Sequence, residues 1–332
     1  MPSTSPTELI VDLTTQFMVS RAIQMLAEIG VADALGDASS MTAAELATKL
    51  GANADALQRV MRLAASHGVF AFSNGKFAHT DASRLLGSDH PHSMRAWARM
   101  MGADINWSAY SKFLHTLRTG EPARELFTDG DFFSNYLPRH PEVARLFDES
   151  MTAAAHRRID AVLKAYDFSR YKTIADIGGG RGHLIRAVLE NAPSARGILF
   201  DLPHAVAPTR ALNVPRLTIT AGDFFKTLLP IADAYLLMMV IHDWNDEDSV
   251  RILRAVRRAA PAHAKLLLIE RVLTDSDESD IGKRMDIHML VALSGRERTR
   301  AEFDALYKAT GFRLDRAVDT GGGVSVIEGS VA

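Results

Sequence analysis

The chain has 332 residues, no cysteine and a formal net charge of −2. This charge provides no general attraction to nucleic acid or to an anionic membrane, and the missing cysteines exclude disulfides and thiolate metal sites. The N-terminus lacks the pattern of a secretory signal, and no apolar run reaches the ~20 residues of a membrane span. Because 47% of the residues are hydrophobic, the chain can form a sizeable core. Together these features predict a soluble, cytoplasmic protein.

A helix is predicted over residues 8–35, where apolar residues such as Leu9, Leu13 and Phe17 recur at helical spacing. The opposite side of this helix is also largely apolar or small, so the helix needs something to cover it. We predict that the segment helps to form a homodimer interface. Burial within its own chain fits the same pattern and stays open.

Residues 41–80 follow a helix-turn-helix plan that ends in a hairpin. Thr42 and Glu45 form a capping-box pattern, Gly51 ends the first helix, and Asn74-Gly75 signals the hairpin turn. A winged helix that reads DNA would gather basic residues on its second helix and its wing. Here the basic residues are scattered among acids. We therefore predict a structural winged helix, with a DNA-binding regulator as the less favoured alternative.

Residues 90–166 are predicted to be helical and are rich in methionine and aromatic residues. Most such side chains belong to a core, but some could line an adaptable pocket for a flat apolar ligand. Tyr136 and Met151 are candidates for contact with such a ligand. The chain is thus predicted to have three regions: 1–89 for dimerisation, 90–166 as a helical lid or linker, and 167–332 as an α/β domain.

Residues 173–183 have the pattern of a strand, a tight turn and a helix. The apolar run from Ile174 to Ile177 contains Asp176 and gives way to glycines, which permit a sharp turn and the close approach of a ligand. A dinucleotide fingerprint would place a third glycine where His183 stands. The pattern Asp-x-Gly-x-Gly-x-Gly instead resembles the first motif of the class I methyltransferases that depend on S-adenosylmethionine (AdoMet).

Beyond residue 171, strands and helices alternate, which predicts an α/β fold with a doubly wound, mostly parallel sheet. The carboxyl ends of such strands open onto one crevice. Asp201 lies ~20 residues past the glycine turn, where a carboxylate can accept both ribose hydroxyls of an adenosine. Asp223 and Phe224 follow the third strand and suit the amino group and the ring of adenine. His242 and Glu270 follow the fourth and fifth strands.

Five short motifs occur in this order: Gly-Gly-Gly-x-Gly from Gly178, Asp-Leu-Pro from Asp201, Gly-Asp-Phe-Phe from Gly222, His-Asp-Trp-Asn-Asp-Glu from His242, and Gly-Arg-Glu-Arg-Thr from Gly295. Through them nearly the whole chain resembles the caffeic acid/hydroxyneurosporene O-methyltransferase family. The resemblance implies a Rossmann-like class I methyltransferase domain and an N-terminal winged-helix dimerisation domain. It also implies AdoMet as methyl donor, S-adenosylhomocysteine as product, a hydroxylated aromatic or polyketide-type acceptor, and no metal.

The site residues of the family match positions of this chain one by one. Gly178 and Gly180 match the turn near the methionine portion of AdoMet, Asp201 the ribose acid, and Gly222, Asp223 and Phe224 the adenine contacts. His242 matches the general base, Glu270 and Glu297 the two carboxylates that hold it, and Asp243 and Met289 positions near the acceptor. His288 is a further pocket candidate.

The chemistry agrees with these roles. A phenol has a pKa of ~10 and is a poor nucleophile at pH 7, whereas a neutral histidine, with a pKa of ~6.5, can take its proton. A carboxylate on the other ring nitrogen fixes the tautomer and stabilises the imidazolium that forms. The sulfonium already activates the methyl group, so the reaction requires no metal.

Alternatives stay open for several of these assignments. His242 could only cap the helix that begins near Asp246, and Glu297 could form a surface ion pair with its arginine neighbours. Some members of the family methylate nitrogen or carbon, or use AdoMet for other chemistry. The apolar residues 291–293 stand where plant members carry an asparagine, which favours a bacterial-type aromatic or polyketide acceptor.

Overall fold

A computed structural model describes residues 5–37, 40–128, 130–210 and 214–332. The chain forms two compact units, one of Met1–Trp107 with Glu142–Ala154 and one of Ser108–Pro141 with Ala155–Ala332. The predicted region 90–166 is therefore not a separate segment of the fold, because its residues are divided between the two units. Among the described residues, no helix combines the length and the apolar character needed to cross a bilayer.

The first unit begins with two helices, α1 (Pro6–Ile29) and α2 (Val31–Leu35). A serine–glutamate capping box starts α1. Gly30 has a φ of 76° and ends α1 in the left-handed conformation that glycine adopts most easily. The prediction of one helix over residues 8–35 is thus wrong, because this glycine divides it.

The predicted winged-helix segment is present in the first unit. It consists of α3 (Ala43–Leu50), α4 (Ala54–Ser66), β1 (Phe70–Ser73) and β2 (Lys76–His79). The capping box of Thr42 and Glu45 starts α3, and Gly51 ends it, as predicted. Asn74 and Gly75 both have a positive φ, which the two-residue hairpin turn requires.

The N-terminal part of α1 is exposed, and apolar residues lie on more than one of its sides. The large apolar side chains there are 49–60% exposed and are Leu9, Ile10, Val11, Leu13, Phe17 and Met18. A contiguous apolar surface of this kind is unfavourable in water and marks an interaction site. Burial within its own chain therefore does not account for the apolar residues in this part of α1.

The predicted helical character of residues 90–166 is confirmed. After a short helix α5 (Asp81–Arg84), the elements are α6 (Arg95–Met101), α7 (Asp104–Ser111), α8 (Phe113–Thr119), a 3₁₀ helix (Ala123–Phe127), a π-helical turn (Phe132–Tyr136), α9 (Leu137–Arg139) and α10 (Pro141–Ala165).

The second unit contains the predicted α/β domain. In chain order its elements are β3 (Thr173–Ile177), α11 (His183–Asn191), β4 (Arg196–Asp201), α12 (Pro203–Arg210), β5 (Leu217–Ala221), β6 (Ala234–Met238), a 3₁₀ turn (Ile241–Asp243), α13 (Asp246–Ala259), β7 (Lys265–Glu270), β8 (Val272–Leu273), α14 (Ile281–Ala292), β9 (Arg298–Thr299), α15 (Arg300–Ala309), β10 (Phe312–Asp319) and β11 (Ser325–Val331). The main sheet has the order β10-β11-β7-β6-β3-β4-β5, and β8 pairs with β9 separately.

The five predicted strands, β3 to β7, pair in parallel, and β11 and β10 add an antiparallel edge. The predicted fold class is confirmed. The chain runs from β3 outward through β4 to β5 and then returns to β6 and β7 on the other side of β3. This reversal of strand order opens a crevice at the carboxyl ends of the strands.

The centre of the sheet is fully covered. Ile174, Ala175 and Ile177 of β3 are 0% exposed, as are Leu236 and Leu237 of β6. An unbroken apolar run suits a strand that has helices on both of its faces. Each such isoleucine or leucine contributes about 2 kcal/mol through burial. A rigid sheet therefore fixes the loops that follow β3, β4, β6 and β7.

Candidate active site

The glycine turn after β3 leaves one side open. Gly178 and Gly180 have φ values of 70° and 55°, which side chains rarely adopt. A Cβ at Gly178 would lie 2.9 Å from Cγ2 of Val240, whereas one at Gly180 would meet no atom within 4 Å. Gly178 is therefore required for close packing. Gly180 faces free space, in which a ligand could approach the backbone.

Asp201 joins this turn to the neighbouring strands. Its Oδ2 accepts a hydrogen bond from the Gly180 nitrogen at 2.7 Å, and its backbone oxygen accepts one from the Gly222 nitrogen at 2.9 Å. Asp176 lies beneath the turn and is 1% exposed. Burial and the nearby Asp201 raise the pKa of Asp176 to about 7. The turn therefore presents the half-buried Asp201 to a ligand, while the Asp176 carboxyl lies in the interior.

Asp223 and Phe224 stand at the same edge, directly after β5. Asp223 accepts a hydrogen bond from the Phe225 nitrogen at 2.9 Å and pairs with Lys226 at 3.1 Å. The Phe224 ring meets the Trp244 ring edge-on, with 5.8 Å between the ring centres. The predicted donor residues thus all lie at the carboxyl ends of β3, β4 and β5, as an adenosine site there requires. They are Gly178, Gly180, Asp201, Gly222, Asp223 and Phe224.

His242 lies in the 3₁₀ turn after β6. The next helix, α13, is capped by Asn245, whose Oδ1 accepts a hydrogen bond from the Asp248 nitrogen at 2.9 Å. The alternative in which His242 only caps this helix is therefore excluded. The side chain of His242 is 11% exposed.

Both ring nitrogens of His242 face carboxylates. Nδ1 lies 3.1 Å from Oε1 of Glu297, and Nε2 lies 3.4 Å from Oδ1 of Asp243. The side chain of Glu297 is 0% exposed, so the alternative of a surface ion pair is excluded for this residue. Its backbone nitrogen also donates to Oδ1 of Asp286 at 2.9 Å, which fixes the carboxylate in the interior.

Glu270 supports the histidine differently from the prediction. The family resemblance implies that Glu270 holds the imidazole, but its Oε1 accepts hydrogen bonds from the backbone nitrogens of Val240 and Ile241, at 3.0 and 2.8 Å. The physical reason is that these amides begin the turn that carries His242, and Glu270 ends the neighbouring strand. Burial raises the pKa of Glu270 to about 7. Glu270 therefore positions the turn, and Glu297 positions the ring.

Two buried arginines were missed in the sequence. Arg271 is 8% exposed, and its Nη1 donates to Oε1 of Glu297 at 3.0 Å. Arg298 is 0% exposed and donates to the backbone oxygens of Ile241 and Trp244, at 3.0 and 2.9 Å. The available signal was the direct proximity of each arginine to a site glutamate in the sequence.

The carboxylates change the pKa of the histidine. Burial opposes its charge, but Asp243, the hydrogen bond to Glu297 and the nearby Glu270 together raise the pKa of His242 to about 9. Burial also opposes the charge of Glu297, while His242 and Arg271 lower the pKa of this carboxyl below its ordinary value. The pKa of Asp243 is raised to about 6, mainly by burial.

The predicted acceptor residues have different surroundings. Met289 is 7% exposed on α14, and the Tyr136 ring stacks on His140 with 4.0 Å between centres. Asp243 borders a cavity of about 40 Å³ that is also lined by Arg124, Glu125, Thr128, Asp131, Phe132, Phe133, Trp244, Ala292, Leu293 and Ser294. Met151 belongs to the first unit and is 38% exposed.

His288, the further pocket candidate, is packed against Tyr110. Its Nδ1 lies 3.3 Å from the tyrosine hydroxyl, and the two rings are stacked. Burial, together with Arg124 and His242, lowers the pKa of His288 to about 3. His288 is therefore a neutral and weakly basic side chain packed in the interior.

The atoms of His242, Glu270 and Glu297 that could bind a cation lie within 4.8 Å of one another. However, one oxygen of each glutamate already accepts two hydrogen bonds, and the Arg271 cation is adjacent. These residues form a hydrogen-bonded charge cluster, in which the Arg271 cation partly balances the charge of the carboxylates.

Comparison with known proteins identifies the family of the chain. Residues 115–313 match an O-methyltransferase domain model, and residues 11–89 match an O-methyltransferase dimerisation domain model. The chain is 42% identical over 326 residues to the phenazine O-methyltransferase PhzM of Lysobacter antibioticus, covering 96% of this chain and 95% of the relative. It is 34% identical over 316 residues, 92% of this chain and 88% of the relative, to the 8-amino-8-demethylriboflavin N,N-dimethyltransferase of Streptomyces davaonensis.

Among solved structures, the S-adenosylhomocysteine-bound form of CalO1, a methyltransferase in calicheamicin biosynthesis, is similar with a TM-score of 0.85 and 36% identity. The similarity covers 100% of both chains. The N-terminal winged helix is part of a dimerisation domain. The chain therefore belongs to the O-methyltransferase family and is a small-molecule methyltransferase that uses AdoMet.

Proposed function

We propose that the protein transfers a methyl group from AdoMet to a hydroxyl of an aromatic or polyketide-type small molecule, with His242 as general base. The observation that carries this proposal is the buried contact of 3.1 Å between Nδ1 of His242 and Glu297. It directs one ring nitrogen to a carboxylate and leaves Nε2 to accept a proton.

The donor-binding residues of the proposal lie in the glycine turn after β3 and at the carboxyl ends of β4 and β5. Gly178 and Gly180 would contact the methionine portion, Asp201 the ribose hydroxyls, and Gly222, Asp223 and Phe224 the adenine. When bound, AdoMet supplies a methyl group on a positively charged sulfur. The open space beside Gly180 and the half-buried Asp201 carboxylate fit a ligand of this kind.

The acceptor hydroxyl is placed beside Nε2 of His242. In the neutral imidazole, the proton on Nδ1 is donated to Glu297, so that the lone pair on Nε2 is available as a base. Removal of the hydroxyl proton converts a poor nucleophile into a strong one. The imidazolium that forms is stabilised by Glu297 at 3.1 Å and by Asp243 at 3.4 Å. Met289 and Tyr136, both in the second unit, would contact the apolar part of the acceptor.

Transfer to nitrogen is the second candidate, because one relative at 34% identity is an N,N-dimethyltransferase. An arylamine is already a nucleophile in its neutral form, so a base matters less before attack. To separate the two, the protein is incubated with AdoMet and matched pairs of phenols and arylamines. Mass spectrometry detects a gain of about 14 Da, and NMR identifies the methylated atom. Methylation of oxygen supports the proposal, and methylation of nitrogen alone overturns it.

We also propose that a second copy of the chain covers the exposed apolar residues in the N-terminal part of α1. Support comes from the 49–60% exposure of six apolar side chains there and from the match of residues 11–89 to a dimerisation domain. Sedimentation analysis of the purified protein tests this proposal. A homodimer is expected, and a monomer at micromolar concentration contradicts it.

A further inference from the structure

Two cationic groups share one oxygen atom next to the histidine. Oε1 of Glu297 accepts from Nδ1 of His242 at 3.1 Å and from Nη1 of Arg271 at 3.0 Å. The two nitrogens are therefore at most about 6 Å apart. The side chain of Glu297 is 0% exposed and that of Arg271 is 9% exposed, so water screens this contact little.

We propose that Arg271 is a positioning residue that limits how strongly Glu297 holds the proton of His242, and so increases the share of neutral imidazole that can act as the base. The proposal rests on the proposed function of His242 and assigns the role to an arginine outside the five motifs. Arg271 acts through Glu297 and does not itself touch the acceptor.

The reasoning begins with the carboxylate. An oxygen that already accepts a hydrogen bond from a permanent cation is a weaker acceptor for a second cation. The guanidinium stays charged at any pH relevant here, so it also repels an imidazolium directly. Without Arg271, the full charge of Glu297 would be directed at His242. The imidazole would then hold its proton more tightly and would be a less available base.

The other charges around His242 also contribute to its pKa in the wild-type protein. Its acidic neighbours are Asp243 on the same turn, Glu297 before β9 and Glu270 at the end of β7. Asp286 on α14 contacts the Glu297 backbone. The basic groups are Arg271 after β7, Arg158 on α10, Arg124 and the uncharged His288 on α14. Arg158 lies near Glu270, Glu297 and Arg271, and Arg124 lies near Asp243. Among these basic groups, Arg271 shares an oxygen with the ring of His242.

The size of the effect follows from distance. Two unit charges about 6 Å apart in a partly buried site, at an effective dielectric constant of about 20, shift each other's pKa by roughly two units. Since the remaining groups relax after a substitution, we expect the loss of Arg271 to raise the titration midpoint of His242 by about one to two units. A role in packing alone predicts no shift.

The test uses Arg271→Met, which removes the charge, Arg271→Lys, which keeps it, and Arg300→Met as control. Arg300 is exposed at the start of α15, three residues from Glu297, and its loss is the same change in net charge. Side-chain NMR follows the titration of His242 in the full-length protein without AdoMet. The His242→Gln variant identifies the signal.

The expected result is a midpoint raised by about one unit or more in Arg271→Met, a change of less than about half a unit in Arg271→Lys, and none in Arg300→Met. An unchanged or lowered midpoint in folded Arg271→Met overturns the proposal. If that variant does not fold, Arg271→Gln replaces it, because glutamine can still donate to Glu297 without a charge. A raised midpoint in Arg271→Gln then supports the proposal, and an unchanged or lowered midpoint overturns it.

A second readout connects the titration to catalysis. In Arg271→Met, the acidic limb of the pH–rate profile for methyl transfer should move to higher pH by the same amount as the NMR midpoint. Because the titration needs no turnover, the two proposals fail separately. Absence of methyl transfer with every acceptor contradicts the proposed function, whereas an unshifted histidine contradicts the role of Arg271.

Discussion

Glu297→Gln is the substitution that most sharply tests the buried pair. It preserves the shape of the side chain but removes the charge that His242 contacts at 3.1 Å and Arg271 at 3.0 Å. Because Glu297 is 0% exposed, solvent cannot replace the lost interactions. The imidazolium that forms during proton removal is then no longer stabilised at Nδ1.

A hydrogen bond to a charged group contributes about 1.5–3 kcal/mol. Since about 1.4 kcal/mol corresponds to a factor of ten in rate, kcat should fall roughly 10- to 150-fold. The carboxylate of Glu297 also raises the pKa of His242, so the acidic limb of the rate profile should move to lower pH. The loss in rate is therefore expected to be smaller at pH 6 than at pH 9. Leaving Arg271 buried without its partner should also cost about 3 kcal/mol of unfolding free energy.

The assay measures methyl transfer from about pH 5.5 to about pH 10, a range that includes the pKa of His242, with the folded state verified by circular dichroism. Glu247→Gln is the matched control, because it makes the same chemical change at an exposed position on α13. It should keep the wild-type kcat and profile. A Glu297→Gln variant with wild-type kcat and an unshifted profile would refute the assignment of Glu297.

Three further predictions concern the donor, the dimer and the pH dependence of stability. Asp201→Asn should weaken AdoMet binding about 10- to 100-fold in calorimetry, because a charged hydrogen-bond acceptor is lost, and an unchanged Kd contradicts its assignment. Phe17→Glu, at a position that is 54% exposed on α1, should convert a dimer to a monomer in sedimentation, and a persistent dimer would place the interface elsewhere. The folded-state pKa of His242, about 9, lies above its ordinary value of 6.5. Its contribution to stability is therefore complete below pH 6.5 and lost as pH rises through 9. Denaturation should show the unfolding free energy of wild type falling relative to His242→Gln over this interval, and a constant difference contradicts the raised pKa.

The sequence was sufficient for features that depend on local patterns. The glycine turn, the strand-end acids and the winged-helix hairpin each have a short signature whose physical cause lies within a few residues. Parallel pairing of β3 to β7 follows from the alternation of strands and helices. Asp201 and His242 could be located in this way, because the ends of parallel strands share one edge of the sheet.

The features that could not be predicted depend on long-range packing. Glu297 lies between two arginines in the sequence, and its burial is evident only in the folded chain, where the next residue, Arg298, pairs with Val272 of β8. Arg271 belongs to the site because β7 ends beside Glu297, a contact across 26 positions of the chain. Glu270 contacts backbone amides, which carry no residue-type signal. The division of the first helix at Gly30 requires the left-handed conformation that the fold imposes there.

Single-turnover methyl transfer by His242→Gln tests the central claim most directly, since it measures the chemical step after AdoMet and acceptor are bound. With a phenolic acceptor, the variant should bind AdoMet as tightly as wild type and transfer the methyl group at least about 100-fold more slowly. Transfer at the wild-type rate by the folded variant would show that another group, or none, removes the proton.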